Sequence, residues 1–135
     1  MVYLTRKEHF NAAHRLYNPK WSDEQNEAVF GKCAGKNFHG HNYNLFVTVK
    51  GEPDADTGII VNLKDLSKLI NAKVIDKLDH KNLNIEVDFL NGIVPSTENL
   101  VKAIWKELKQ HISGCELHSI KLFETENNYA EYFGE

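Results

Sequence analysis

Cysteine is scarce: Cys33 and Cys115 alone in 135 residues are too few for a disulfide framework, which leaves each thiol to packing or chemistry. There is no low-complexity stretch, no block of like charge and no repeat at a solenoid period, so a disordered or repeat architecture is excluded. No apolar run approaches the roughly 20 residues that a membrane helix needs. The opening Met1-Val2-Tyr3-Leu4-Thr5-Arg6-Lys7-Glu8 lacks the apolar segment of a signal peptide, so the expected location is the cytoplasm. Neither sign of charge prevails. Sixteen basic against 19 acidic residues give a net charge of -3, which argues against a broad nucleic-acid face and means that an anionic ligand must be met by a local cluster. Length and a hydrophobic content of 41% fit one domain over residues 1–135. What the chain has in excess is histidine, seven in all.

From Val2 to His14 the residues Val2, Leu4, Phe10, Ala12 and His14 share parity, a strand pattern interrupted by Arg6 and Glu8. Ser22-Asp23-Glu24-Gln25 has the form of a capping box, opening a short helix that Gly31 ends. His39 to Lys50 alternates clearly, with His39, His41, Tyr43, Leu45, Val47 and Val49 on one face. A turn-rich stretch, Gly51 to Gly58, precedes Asn62, which caps a helix with Leu66, Ile70, Val74 and Leu78 on one stripe. Asp79 to Pro95 reads as loop. Ser96 then caps a helix carrying Leu100, Ile104, Leu108 and Ile112 with Trp105 alongside, ended by Gly114. Leu117 to Thr125 and Tyr129 to Phe133 read as strands joined near Asn127-Asn128. Strands and helices thus kept apart predict an α+β fold, a four-stranded antiparallel sheet with two helices on one face. The other face, carrying Phe46, Leu117 and Phe123 or their neighbours of opposite parity, then calls for burial between subunits.

Residues two apart on a strand point the same way, so His39 and His41 project together with Cα atoms roughly 6.5 to 7 Å apart. His14, at the end of the first strand, reaches the same point if the two strands pair antiparallel. Three neutral imidazoles suit Zn²⁺ with one position left open. Two readings of Cys33 stand side by side: a fourth ligand closing a structural site, or a thiol off the metal that acts as a base. Asp79-His80 is either a carboxylate orienting an imidazole for proton transfer or a helix C-terminal cap. Glu124 shares parity with Ile120 and Leu122, and is either a lone acid awaiting a partner or an exposed strand end.

These residues together resemble the 6-pyruvoyl-tetrahydropterin synthase family over essentially the whole chain. The resemblance lies in Phe10-Asn11-Ala12-Ala13-His14-Arg15-Leu16, Phe30-Gly31-Lys32-Cys33 with His39-Gly40-His41-Asn42-Tyr43, Leu78-Asp79-His80-Lys81-Asn82-Leu83, Ser96-Thr97-Glu98-Asn99 and Glu124-Thr125-Glu126-Asn127-Asn128. It implies the tunnelling fold (T-fold), whose sheets join in a β-barrel within a homohexamer of two stacked trimers, with sites between subunits. The implied activity is that of a zinc lyase converting 7,8-dihydroneopterin triphosphate to 6-pyruvoyl-tetrahydropterin and triphosphate in tetrahydrobiopterin biosynthesis, without a redox cofactor. His14, His39 and His41 would hold zinc, Cys33 would be the base, and Asp79 with His80 the proton relay. Glu124 would anchor the pterin, with Thr97 and Glu98 in the same pocket.

The related 6-carboxy-tetrahydropterin synthases share the histidines but usually have a shorter spacing before His-Gly-His. The five residues between Cys33 and His39 favour the pyruvoyl-forming branch. A non-catalytic zinc module with Cys33 as fourth ligand is the competing reading from another class. Arg15, Lys20, Lys32 and Lys36 are the cations near these motifs from which a triphosphate site would be drawn.

Overall fold

A computed structural model describes residues 1–135. Two 13-residue strands, β1 (Val2–His14) and β2 (His39–Gly51), pair antiparallel along their whole length from Val2↔Gly51 to His14↔His39. Between them lies α1 (Asp23–Phe30), where the Ser22 hydroxyl accepts the Gln25 N–H and Gly31 ends the helix at φ 59°. After β2 come α2 (Leu63–Ile70), a π turn (Asn71–Ile75) and α3 (Asp76–Leu78). The two-residue β3 (Lys81–Asn82) follows, then α4 (Thr97–Lys109), β4 (Glu116–Thr125) and β5 (Asn128–Tyr132). The sheet order is β3-β1-β2-β4-β5.

The sheet therefore has five strands, not four. β3 adds a parallel edge to β1, Ala12↔Lys81 and Ala13↔Asn82, clamped by the His80 N–H on the Asn11 carbonyl at 2.6 Å and the Leu83 N–H on that of Ala13 at 2.8 Å. Two residues are too few to show an alternating pattern, so this strand lies hidden in what reads as loop. The last long helix also stops at Lys109, before Gly114.

The π turn has a physical cause. A stripe spaced every four residues drifts about 40° per step around a 3.6-residue helix. One wider turn, in which the Asp76 N–H bonds the Asn71 carbonyl, absorbs that drift. Leu66, Ile70, Val74 and Leu78 all remain buried against the sheet. α2 packs on β1, and α4 on β4 and β5, so the core fills the space between one sheet face and the helices. Arg6 and Glu8, which break the apolar pattern of β1, face this layer. The Glu8 carboxylate accepts Arg6 Nε–H at 2.9 Å and the Ser67 hydroxyl of α2 at 2.6 Å. Burial pushes Glu8 up, but hydrogen bonds from Ser67 and Arg6 outweigh it and hold the carboxyl below its ordinary range.

Leu117 proves to be buried on the helix side, because the β2–β4 register shifts between Thr48 and Val49. Phe46 and Phe123 do stay on the other face, in edge contact with ring centroids 5.7 Å apart. No helix is long and apolar enough to cross a membrane.

Candidate metal and substrate site

The β1–β2 register sets His14 opposite His39, and His41 follows two residues on, so strand pairing alone gathers three imidazoles on the helix-facing side. One ring nitrogen from each lies within 4.8 Å of the others. The rings meet edge to face, with centroids 4.6 to 5.0 Å apart. His14 is 0% exposed. Its Nδ1 lies 2.8 Å from the Pro95 carbonyl, which can only accept, so Nδ1 carries the proton and Nε2 keeps its lone pair. His14 Nε2 and His41 Nε2 are buried without any hydrogen-bond partner.

Burial holds His14 below the ordinary imidazole range, opposed in part by the Pro95 hydrogen bond. Burial does the same at His41, opposed by the Glu124 charge. Two buried ring nitrogens without hydrogen-bond partners, the His14 ring held by Pro95 in the tautomer that leaves Nε2 its lone pair, and a third imidazole beside them fit a Zn²⁺ ion by the chemistry of the donor set.

Glu124 closes the far side. The β4–β5 pairing is irregular between Phe123 and Thr125, and the residue at the irregularity turns its carboxylate into the cluster. Oε2 lies 3.7 Å from His14 Nε2, and Oε1 3.9 Å from His41 Nε2. The buried Thr97 hydroxyl, at the first residue of α4, donates to Glu124 Oε2 at 2.9 Å. A cleft of about 360 Å³ opens beside the carboxylate, lined among others by Leu16, Phe30, Thr97, Glu98, Glu124 and Tyr129. The three pocket residues expected from the sequence thus share one cavity. Arg15, Lys32 and Lys36 line a neighbouring cleft of about 500 Å³ with Asp23 and Glu27, and Lys20 does not. Lys36 is paired with Asp23 at 2.9 Å.

Cys33 is half-buried on the 3₁₀ turn Gly31–Ala34, its carbonyl accepting the Leu16 N–H at 2.8 Å. Its sulfur is not in the cluster of ligand atoms, so the closed shell with Cys33 as fourth ligand has no geometric basis here. Asp79 and His80 stand apart from the cluster too. Asp79 Oδ1 accepts the Asn11 N–H at 2.8 Å, and Oδ2 lies 3.0 Å from His80 Nδ1. The Asn11 hydrogen bond is the chief cause holding Asp79 below the ordinary carboxylate range. His80 sits at φ 62°, with 81% of its side chain exposed, at the β3 edge of the sheet. β1 and β2 separate this pair from β4 and Glu124.

Two contributors escaped the sequence reading. The Pro95 carbonyl is a backbone group, which no residue pattern marks. The Tyr43 hydroxyl, 3.4 Å from His14 Nδ1, belongs to a residue whose parity places it on the face of His39 and His41 but gives it no role of its own.

A mainly antiparallel sheet with helices on one face and a histidine cluster between its two long strands defines a T-fold enzyme site. A family model described as "6-pyruvoyl tetrahydropterin synthase" matches residues 3–135. The 6-pyruvoyl tetrahydrobiopterin synthase of Dictyostelium discoideum is 47% identical over 134 residues, covering 99% of this chain and 97% of that protein. The solved structure of Caenorhabditis elegans 6-pyruvoyl tetrahydropterin synthase is similar with a TM-score of 0.93 at 37% identity, covering 99% of this chain and 96% of that one. A 6-carboxy-5,6,7,8-tetrahydropterin synthase of Bacillus subtilis (strain 168) is 29% identical over 136 residues, covering 96% of this chain and 83% of that protein. The chain belongs to the 6-pyruvoyl tetrahydropterin synthase family and is a lyase of that family.

Proposed function

We propose that this enzyme is a zinc-dependent lyase of tetrahydrobiopterin biosynthesis, acting in the cytoplasm on 7,8-dihydroneopterin triphosphate to yield 6-pyruvoyl-tetrahydropterin and triphosphate. The single observation that carries the reading is the pair of buried, unpartnered nitrogens His14 Nε2 and His41 Nε2, converging with His39 beside the Glu124 carboxylate. Identity to pyruvoyl-forming relatives, and the five residues between Cys33 and His39, support this branch over the carboxy-forming one.

His14, His39 and His41 hold the metal through neutral nitrogens, and Pro95 keeps the His14 ring in the ligating tautomer. Bound there, zinc supplies Lewis acidity that makes the C–H and O–H protons of the substrate side chain easier to remove. Glu124 accepts the two adjacent N–H groups of the 2-amino-4-oxo pterin edge, oriented by the Thr97 hydroxyl, with Glu98 on the same wall. Cys33 takes the side-chain proton, and Asp79 with His80 relays protons. The reaction eliminates triphosphate and moves hydrogens within the substrate, so no external oxidant or reductant enters. Arg15, Lys32 and Lys36 flank the cleft where an anionic leaving group would lie.

Because Asp79 and His80 stand at the sheet edge away from Glu124 in their own chain, they serve a neighbour's site in a homohexamer. There the Phe46–Phe123 face would be covered within a barrel.

The test is mass spectrometry of the product formed by zinc-loaded enzyme from dihydroneopterin triphosphate, run with wild type and Cys33→Ala. A pyruvoyl product from wild type, and none from a variant that still binds zinc, is the expected result. A carboxy product would move the enzyme to the other branch, and no triphosphate release would overturn the reading.

A further inference from the structure

Glu124 faces the histidine cluster as well as the cleft. Its two oxygens straddle the buried nitrogens, Oε2 at 3.7 Å from His14 Nε2 and Oε1 at 3.9 Å from His41 Nε2. These separations are too long for hydrogen bonds, which run at about 2.7 to 3.2 Å, and neither nitrogen has another partner. They are close to the spacing of co-ligands. With nitrogen at about 2.0 to 2.1 Å from Zn²⁺, ligand atoms of a tetrahedral shell lie about 3.3 to 3.4 Å apart. As it stands the carboxylate lies against two of the three histidines, and a rotation that turns one of its oxygens toward the point where all three converge would complete a three-histidine, one-carboxylate shell. Oε2 is tethered by the Thr97 hydroxyl at 2.9 Å, whereas no side-chain donor bonds Oε1, which leaves that oxygen the freer ligand.

We propose that in the pterin-free enzyme Glu124 takes the fourth ligand position of the metal, and that the pterin edge draws it away. This deepens the reading of the site as a zinc–pterin site and rests on it. One carboxylate then does two things in turn. Before substrate arrives it closes the metal's coordination. The adjacent pterin N–H donors, which require both of its oxygens in the ring plane, then withdraw it and open a position at the moment the substrate's side-chain oxygens are in place. The metal is thereby shielded from adventitious ligands until the correct heterocycle is seated.

The experiment uses full-length wild type and Glu124→Gln, which keeps the side-chain shape and removes the ligating charge, with circular dichroism to establish that both are folded. Zinc affinity is measured by chelator competition, and the cobalt-substituted proteins are followed through their visible ligand-field bands. The probe is 2-amino-4-oxopteridine, which carries no side-chain oxygens of its own. Wild type should bind zinc about 10- to 100-fold more tightly than Glu124→Gln, differ from it in cobalt spectrum, and lose that difference when the pteridine is added. Thr97→Val, which releases the tether without touching the carboxylate, should lower zinc affinity by less than Glu124→Gln does. Equal affinities with matching spectra, or a wild-type spectrum unmoved by saturating pteridine, would overturn the proposal and leave Glu124 an anchor only. Failure of wild type to bind zinc or cobalt at all would instead overturn the functional reading beneath it.

Discussion

Acidification probes the histidine cluster without any substrate. His14 and His41 are held below the ordinary imidazole range, in both cases chiefly by burial. In the unfolded chain each takes up a proton near pH 6.5, and in the folded chain only at lower pH. Between those values the unfolded state binds more protons, so stability falls as pH falls. One proton corresponds to about 1.4 kcal/mol per pH unit, so the pair sets a slope of at most about 2.7 kcal/mol per unit below about pH 6.5. Against a total of about 5 to 15 kcal/mol for an ordinary domain, one pH unit is a large loss.

Urea unfolding of the metal-free protein at about pH 7.5, 6.5 and 5.5 should therefore show a loss of at most about 0.7 kcal/mol over the first step and a larger one, at most about 2 kcal/mol, over the second. His41→Gln, which leaves one of the two groups, should roughly halve that loss. Zinc at 100 times its dissociation constant should add about 2.7 kcal/mol near neutral pH, an increment that shrinks on acidification because protons compete for the same nitrogens. A stability that is flat from pH 7.5 to 5.5, or a His41→Gln protein with the wild-type slope, would refute the assignment of these histidines as buried and neutral.

Three further outcomes follow from named contacts. Asp79→Asn retains an oxygen for the Asn11 N–H but loses the charge facing His80, so steady-state assays should find turnover lowered by about 10² to 10⁴ with the thermal midpoint little changed; unaltered turnover would remove Asp79 from the relay. Tyr43→Phe deletes only the long 3.4 Å contact to His14 Nδ1 while Pro95 keeps its 2.8 Å one, so calorimetry should show zinc affinity changed by less than about tenfold. Phe46→Lys places a second cation beside Lys7, whose Nζ lies 5.7 Å from the Phe46 ring centroid. Sedimentation velocity should then find a folded, dissociated chain, and an assembly identical to wild type would reject the buried-face proposal.

Much of the scaffold was legible because the long elements obey simple periods. β2 alternates without a break over its predicted span, and the three N-caps at Ser22, Asn62 and Ser96 fall where the hydrogen bonds form. What escaped was set by tertiary context. β3 exists only because β1 offers an open edge to a two-residue segment. Leu117 changes side because of a register shift that neither strand announces by itself. Arg6 and Glu8 look like interruptions until Ser67 of α2 is placed over them. The histidine triad was readable for the opposite reason, since parity along β2 and antiparallel pairing with β1 suffice to bring three rings together.

The remaining site residues divide by sheet order, and that division bears on how the enzyme must work. The histidine cluster, Glu124 and Thr97 belong to β1, β2, β4 and the start of α4, on the helix side. Asp79 and His80 belong to the β3 edge, with two strands between them and that of Glu124, the His80 ring exposed and its backbone at positive φ. A non-glycine residue at φ 62° costs on the order of 1 to 3 kcal/mol unless its surroundings over-determine it. Here the Asn11 N–H and carbonyl grip Asp79 and His80 from both sides. A strained, tightly held and exposed imidazole has no partner within its own chain beyond Asp79. If it acts in the reaction, it acts across an interface, and turnover should then fall with dilution below the assembly's dissociation constant while zinc binding by the single chain persists.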